Sequence, residues 1–193
     1  MLRSFFAHGS NAMLVVLCAA CFVLPVHLWF VLAGGLLFYL TEYGTHRFLF
    51  HARPSRWAWL RALQHRMHYD HHVEPNRLDL LFLPAWYVVP NLVITGGIAY
   101  AVLGDAGSTT SLLLGAMLAT LHYEWVHYIA HIPYRPHTAF GRWQKKYHLR
   151  HHFQNERLWY GVSNPLTDLI AGTWKDRESA GRSATTRVLY PDN

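Results

Sequence analysis

Long apolar runs alternate with shorter basic and aromatic stretches along this chain. The apolar runs extend over residues 12–24, 26–43, 80–103 and 111–130. A bilayer core of about 30 Å needs about 20 apolar residues in a helix, so the four runs predict four membrane-spanning helices. Pro25 separates the first two runs, because proline lacks an amide donor and disfavours a helix interior. The pattern therefore predicts two helical hairpins.

The predicted fold is all-α: an integral membrane bundle of four transmembrane helices with a cytosolic, histidine-rich helical cap. A second apolar run follows the first almost at once, which argues against a cleaved signal peptide. We expect one domain over residues 1–193, with spans at about 9–24, 26–51, 80–103 and 109–131, a cap formed by 52–79 and 132–178, and a frayed tail at 179–193.

The composition supports a membrane protein, since 52% of the residues are hydrophobic and 15% are charged. The net charge of +6 does not indicate nucleic-acid binding, because such proteins present basic stripes on a soluble fold. All 17 Lys and Arg residues lie at Arg3, within 47–77 or within 135–187. Basic residues mark the cytoplasmic side, so both termini and the cap are expected in the cytosol. Cys18 and Cys21 imply no disulfide framework.

Ten of the 15 histidines form four clusters. Two clusters have members at i, i+3 and i+4, which share one helix face. One metal ion rarely takes more than six donors, so ten imidazoles indicate two ions. A pair at i and i+5 is rotated by about 140° on an α-helix, so the first cluster is expected to bind at a helix end or from opposite edges of one metal pair. The clusters are His46 and His51; His68, His71 and His72; His127 and His131; and His148, His151 and His152.

These clusters, with the residues between them, resemble the histidine boxes of the fatty acid hydroxylase and sterol desaturase superfamily. They read HRFLFH, HYDHH, HYIAH and HLRHH, and their order and spacing most resemble the fatty acid 2-hydroxylase branch. The segment WYGVSNP at 159–165 adds to that likeness. The resemblance covers residues 42–174.

The resemblance implies a membrane-bound non-haem di-iron oxygenase that uses O2 and two electrons to hydroxylate a lipid acyl chain, commonly at carbon 2. Zinc could replace iron in purified protein, since the affinity of imidazole sites for divalent metals rises from iron toward copper and remains high for zinc. Alternatives within the superfamily are a sterol- or carotenoid-type hydroxylase or a desaturase; a metal transporter or a haem cytochrome is a distant one. The implied ligands are His46, His51, His68, His71, His72, His127, His131, His148, His151 and His152.

Electrons are expected from a separate ferredoxin or b-type cytochrome, because the chain has no His-Pro-Gly-Gly haem motif. A basic surface around Arg142, Lys145, Lys146 and Arg150 is a candidate docking site for an acidic donor, and anionic lipid headgroups are the competing interpretation.

Metal-bound histidines usually donate their second ring N–H to a carboxylate or a carbonyl. Glu42, Asp70 and Glu124 lie close in sequence to the clusters and are the candidates for this role. His65 lies one turn before the second cluster and is a further candidate ligand.

Overall fold

The computed structural model describes residues 1–191, and every regular element among them is a helix. The chain divides into two compact units, one formed by Met1–Tyr39 and Phe82–Trp125, the other by Leu40–Leu81 and the chain from Val126 onward. The α-helices are α1 (Leu2–Ala7), α2 (Gly9–Ala20), α3 (Leu28–Thr45), α4 (Ala58–Gln64), α5 (Asp70–Val73), α6 (Leu78–Leu81), α7 (Ala85–Leu103), α8 (Ala106–His131), α9 (Ala139–Phe153) and α10 (Leu166–Ala171).

Three short turns of other helical types complete the secondary structure of the described residues. A 3-10 turn, Cys21–Val23, follows α2, and π-helical turns occupy His46–Phe50 after α3 and His65–Tyr69 after α4. Both π turns coincide with histidine clusters, in line with the tendency of π turns to lie at functional sites.

The first unit has its core where α2, α7 and α8 meet. Leu14 and Cys18 of α2 pack with Val88 of α7 and with Leu114 and Met117 of α8, and all five are buried. Close contact among these side chains stabilises the unit through many small dispersion attractions.

The turn between α7 and α8 follows the sequence prediction. Gly104 ends α7 in the left-handed conformation, at φ 66°, which glycine adopts without steric cost. The carboxylate of Asp105 then accepts hydrogen bonds from the backbone N–H groups of Gly107 (3.3 Å) and Ser108 (2.6 Å). These bonds satisfy donors that an α-helix leaves unpaired at its start.

Two glycines allow close packing of α3 and α8. A Cβ atom on Gly34 would overlap the backbone carbonyl of Leu112, and one on Gly115 would overlap that of Val31. Small residues at helix contacts are typical of membrane helices, where close backbone approach replaces the hydrophobic driving force.

The observed helices lie close to the four predicted spans, but their lengths differ. Of the described residues, only the stretch Leu78–Leu103 is both long and apolar enough to cross a bilayer. Gly9–Val23 is a shorter apolar helix. The helical fold is therefore established, while four spans and a cytosolic cap stay predictions.

The segment after α10 in the second unit is irregular but makes defined contacts, and the frayed tail expected at 179–193 stays a prediction. The Ser183 N–H donates to the Gln154 carbonyl (2.9 Å), and the Tyr190 hydroxyl donates to the His51 carbonyl (2.8 Å). Backbone and hydroxyl groups, rather than apolar side chains, make these contacts.

Replacing Gly34 or Gly115 with Ala should destabilise the protein by about 1–3 kcal/mol, because an added methyl group forces the two backbones apart. The thermal unfolding midpoint of the purified protein measures this. Gly97 is the matched control, since a Cβ there meets no atom within 4 Å. Equal midpoints for Gly34→Ala, Gly115→Ala and Gly97→Ala would contradict the close packing.

Candidate metal centre

The π turn after α3 brings the two rings of the first histidine cluster, His46 and His51, to the same side. The His51 N–H donates to the His46 carbonyl (3.0 Å), an i+5 to i bond. Residues five apart therefore lie one above the other on successive turns, instead of being rotated away from each other as in an α-helix. The two rings consequently face the same neighbour, His68.

One group of imidazoles consists of His46, His51, His68 and His151. The Nε2 atom of His68 lies 2.7 Å from that of His51 and 3.2 Å from that of His46. The Nε2 atoms of His51 and His151 are 2.9 Å apart. Nitrogens from three distant parts of the sequence thus converge on one point.

A second group contains five histidines, all buried. The Nε2 atoms of His71 and His127 are 2.9 Å apart, as are those of His131 and His148. The rings of His71 and His152 have centroids 4.7 Å apart. The members are His71, His127, His131, His148 and His152.

His72 lies beside both groups. Its ring stacks on His152 at a centroid distance of 4.2 Å and lies 4.5 Å from the ring of His68. Its Nδ1 atom is 2.7 Å from the Thr186 carbonyl, and its Nε2 atom has no hydrogen-bond partner among the described residues. All ten predicted ligands therefore lie in the second unit, nine in two groups and His72 adjacent to both.

The geometry of each group fits a metal ion. The candidate ligand atoms of a group all lie within 4.8 Å of one another. Two nitrogens bound at a right angle to one metal, with bonds of 2.0–2.1 Å, are about 3.0 Å apart, close to the separations observed here. Both ring nitrogens of the buried His152 lack a hydrogen-bond partner among residues 1–191, as expected of a side chain that serves a metal.

The electrostatic environment also favours metal binding. Burial, reinforced by the neighbouring imidazoles, holds the pKa values of His68, His71 and His148 well below their usual range. Burial likewise lowers the pKa of His72 to about 3. The rings are consequently neutral at physiological pH and keep a lone pair for a metal. Neutral imidazole suits zinc, copper, iron and nickel.

Backbone carbonyls orient several of these rings. The Nδ1 atom of His151 lies 2.8 Å from the Leu158 carbonyl, and that of His46 is hydrogen-bonded to the Tyr160 carbonyl. A ring that donates from Nδ1 presents its Nε2 lone pair to the metal. His72 is held in the same way by the Thr186 carbonyl. Three main-chain carbonyls thus orient three candidate ligands.

Trp159 places two of these carbonyls. It is fully buried and has a left-handed backbone, with φ 58°, which is unusual for a bulky residue. Its backbone N–H donates to the Thr173 carbonyl (3.1 Å), and its indole N–H donates to the Lys175 carbonyl (3.0 Å). The strained conformation lies between the carbonyls that accept from His151 and His46.

Asp168 holds the loop that contains Trp159 and Tyr160 in place. Its buried carboxylate accepts from the backbone N–H groups of Tyr160 (2.9 Å) and Gly161 (2.7 Å). It also accepts from the hydroxyls of Tyr147 (2.9 Å) and Thr173 (2.6 Å). Since Tyr147 precedes His148 on α9, one carboxylate ties the carbonyl-bearing loop to a ligand-bearing helix. Sequence reasoning missed Asp168, because it lies 16 positions beyond the last cluster.

Two of the three carboxylates predicted to orient the rings have other partners. Glu42 accepts from the Ser163 N–H (3.0 Å) and the Ser163 hydroxyl, so it holds the loop and not a ring. Asp70 is exposed and pairs with His65 at 2.9 Å. The pairing also places His65 at the surface, outside both histidine groups. Proximity in sequence was misleading here, since main-chain carbonyls lie closer to the rings.

Glu124 belongs to the first unit and accepts from the Leu83 N–H at 2.8 Å. It is buried, and its second oxygen has no hydrogen-bond partner among the described residues. Its hydrogen bond is to the backbone of its own unit, and its predicted role in orienting a ring stays a prediction.

Lys145 stabilises the end of α8. Its ammonium donates to the carbonyls of Ile129 (2.8 Å), Ile132 (2.8 Å) and Tyr134 (2.9 Å). A cation at the carboxyl end of a helix satisfies unpaired carbonyls and complements the helix dipole. Partial burial lowers the pKa of this ammonium. Lys145 therefore holds the end of the helix that finishes at His131, and the docking role considered for it stays a prediction.

The family follows from comparison with known proteins. The family model described as fatty acid hydroxylase matches residues 31–173, well over half of the chain. The chain belongs to the fatty acid hydroxylase family. The resemblance that the histidine boxes indicated is thereby confirmed.

Three relatives show which branch the chain is similar to. It is 30% identical over 161 residues to the dihydroceramide fatty acyl 2-hydroxylase FAH2 of Arabidopsis thaliana, covering 78% of this chain and 62% of the relative. It is 34% identical over 141 residues to the human fatty acid 2-hydroxylase, covering 70% and 36%. It is 31% identical over 168 residues to the ceramide very long chain fatty acid hydroxylase scs7 of Schizosaccharomyces pombe, covering 80% and 45%.

A solved structure supports the same conclusion. Full-length scs7p, with only its hydroxylase domain visible, matches with a TM-score of 0.76 and 26% identity, over 89% of this chain and 66% of that one. The chain thus spans less than two thirds of the length of the relatives that it matches.

Asp168→Asn should lower the metal content and the unfolding midpoint, because an amide nitrogen would face N–H and O–H donors in place of a charge. Loss of hydrogen bonds to a charged group costs about 1.5–3 kcal/mol each. Elemental analysis of the purified protein and thermal melting measure the two effects. Asp176→Asn, at an exposed carboxylate, should leave both unchanged. Full metal content in Asp168→Asn would refute the positioning role.

Lys145→Met should destabilise the protein by about 1–3 kcal/mol, because three carbonyls lose their donor. Lys146→Met is the matched control, since its neighbouring ammonium is exposed. Denaturant unfolding and bound metal per chain should fall only for the first variant. Equal stability of the two variants would show that the hydrogen bonds from Lys145 to the end of α8 are dispensable.

Proposed function

We propose that this chain is an O2-dependent di-iron hydroxylase that places a hydroxyl group on carbon 2 of a fatty acid or fatty acyl lipid. The observation that supports it most is the convergence of two groups of buried, neutral imidazoles in a member of the fatty acid hydroxylase family. Relatives from plants, animals and fungi are named for hydroxylation of fatty acids or ceramides, which supports the substrate class.

The reaction consumes one O2, two electrons and two protons. One oxygen atom enters a C–H bond and the other leaves as water, so R–H becomes R–OH. Iron, when bound, supplies the oxygen-activating chemistry. We propose His46, His51, His68, His71, His72, His127, His131, His148, His151 and His152 as its ligands.

The chain's own residues contribute binding, orientation and exclusion of water. The carbonyls of Leu158, Tyr160 and Thr186 hold the tautomers that direct Nε2 atoms inward. His71 and His151 are fully buried, so bulk water is excluded from the ligand cluster. A dry site protects a reactive oxidant from side reactions.

A membrane location with four spans and a cytosolic cap fits the exposed surface of the first unit. Val23, Trp29 and Val102 are 85%, 81% and 77% exposed, respectively, although each is strongly apolar. Exposed apolar surface of this kind indicates a lipid-facing role. A groove of about 410 Å³ between α3 and α8, lined by Leu32, Leu36 and other apolar residues, is large enough for part of an acyl chain.

The electrons require a donor, because imidazole and carbonyl groups supply none. We propose a separate carrier protein, a ferredoxin or a b-type cytochrome. Zinc in a purified sample would reflect its high affinity for imidazole and not the working metal.

Lipid mass spectrometry tests the function directly. When the chain is expressed in cells that lack 2-hydroxylated lipids, their lipids should gain one oxygen atom on carbon 2 of an acyl chain. His71→Ala and His151→Ala should abolish the product and reduce bound metal, because each removes a fully buried ring from one group. His65→Ala is the control, since His65 is exposed and lies outside both groups. Loss of two hydrogens without added oxygen would instead show a desaturase, and product from His151→Ala would refute the assignment.

A further inference from the structure

A basic groove of about 770 Å³ lies on the second unit, and none of the ten candidate metal ligands lines it. One wall is α9, and the other is the irregular segment that follows α10. Its lining residues are Lys146, Leu149, Arg150, Phe153 and Gln154 from α9 and its end, and Arg177, Glu178, Ala180 and Arg182 from the irregular segment.

The charge of this groove is strongly positive and unneutralised. Lys146, Arg150, Arg177 and Arg182 contribute four cations against the single carboxylate of Glu178. Within residues 1–191, no ion pair of 4 Å or less joins any of the four to an acidic side chain. Unpaired cations in a concave surface focus a positive potential that attracts an acidic partner.

The groove is preorganised by a side chain of its own wall. The Gln154 amide donates to the carbonyls of Arg177 and Ala180, each at 2.8 Å. These bonds hold the irregular segment at a fixed distance from α9. A partner that docks here therefore meets a formed surface, which reduces the entropic cost of association.

The position of the groove on α9 is the decisive feature. Lys146, Arg150 and Phe153 follow helical spacing along one face, while His148 and His152 lie on the opposite, buried face. A helix with its side chains is about 10–12 Å across. A molecule in the groove is thus separated from the histidine groups by the thickness of a single helix.

We propose that this groove is the docking site of an acidic, one-electron carrier protein. The inference rests on the proposed function, since each hydroxylation takes two electrons from two carrier molecules, with O2 as the oxidant and two protons from water. Phe153, which is 51% exposed among the cations, supplies the apolar contact that a protein interface needs at its centre. The cations by themselves fit an anionic lipid headgroup equally well; the exposed ring of Phe153 and the position on the ligand-bearing helix favour a protein that must bring electrons close to the histidine groups.

Charge reversal tests the site. Arg177→Glu with Arg182→Glu should lower the rate at which a reduced, acidic b-type cytochrome is oxidised by the iron-loaded protein under anaerobic conditions, by about tenfold or more at low salt. The difference should shrink as salt screens the charges. Arg56→Glu with Arg135→Glu is the control, since it makes the same charge change at exposed residues outside the groove. Equal rates for the two double variants would overturn the proposal.

Chemical reduction separates this proposal from the proposed function. Protein reduced with dithionite, freed of reductant and then given O2 and lipid should form the same amount of product in the groove variant as in the unaltered chain. Absence of product from the unaltered chain would disprove the hydroxylase function while leaving the carrier rates interpretable. If the double variant lost its metal, Lys146→Glu alone would provide the carrier-rate test.

A lipid role has its own measurement. In discs of phosphatidylcholine with and without phosphatidylserine, the carrier rates of the unaltered chain and of the groove variant should differ in both lipids. A difference found only with phosphatidylserine would assign the groove to anionic lipid and overturn the docking proposal.

Discussion

The second unit depends on the burial of many imidazoles whose lone pairs face one another. Separations of 2.7–3.2 Å between Nε2 atoms leave no room for water between the rings. Two neutral imidazoles can share one proton in a hydrogen bond, but groups of four and five cannot all be satisfied in this way. The unpaired ring nitrogens within the described chain therefore favour a bound cation, which would turn mutual repulsion into attraction.

The surroundings of the rings are arranged to tolerate this concentration. Hydrogen-bond acceptors come from the main chain, and the buried carboxylate of Asp168 is used for the loop and not for a ring. A charged acceptor on each ring would raise basicity and favour protonation, whereas a carbonyl orients the ring with a smaller effect on its charge. An imidazole that stays neutral keeps its lone pair available to bind a metal ion.

Much of the site could be predicted from the sequence, because it depends on spacing. The i, i+3 and i+4 pattern placed His148, His151 and His152 correctly on one face of α9. The pair His46 and His51 was expected at a helix end and does follow α3, but the π turn that brings both rings to His68 has no signal in the sequence. The apolar runs predicted where the helices lie. Among the described residues, however, only the stretch Leu78–Leu103 is long and apolar enough to be assigned as a membrane span.

The parts that escaped prediction are those made by the backbone. A carbonyl has no identity in a sequence, so the acceptors at Leu158, Tyr160 and Thr186 carry no motif. The left-handed Trp159 is equally invisible, since tryptophan rarely adopts this conformation. Carboxylates near the clusters were the visible candidates, and Glu42 proved to hold Ser163.

The loop around Trp159 limits how this family member can vary. Leu158 and Tyr160 direct their carbonyls to two different rings of the same group, and a single residue separates them. Inserting or deleting one residue would redirect one carbonyl without altering any of the histidines. The chain length between the two acceptors thus constrains the arrangement of the rings as much as the histidines do, and a protein could keep every imidazole and still lose the convergence of the group formed by His46, His51, His68 and His151.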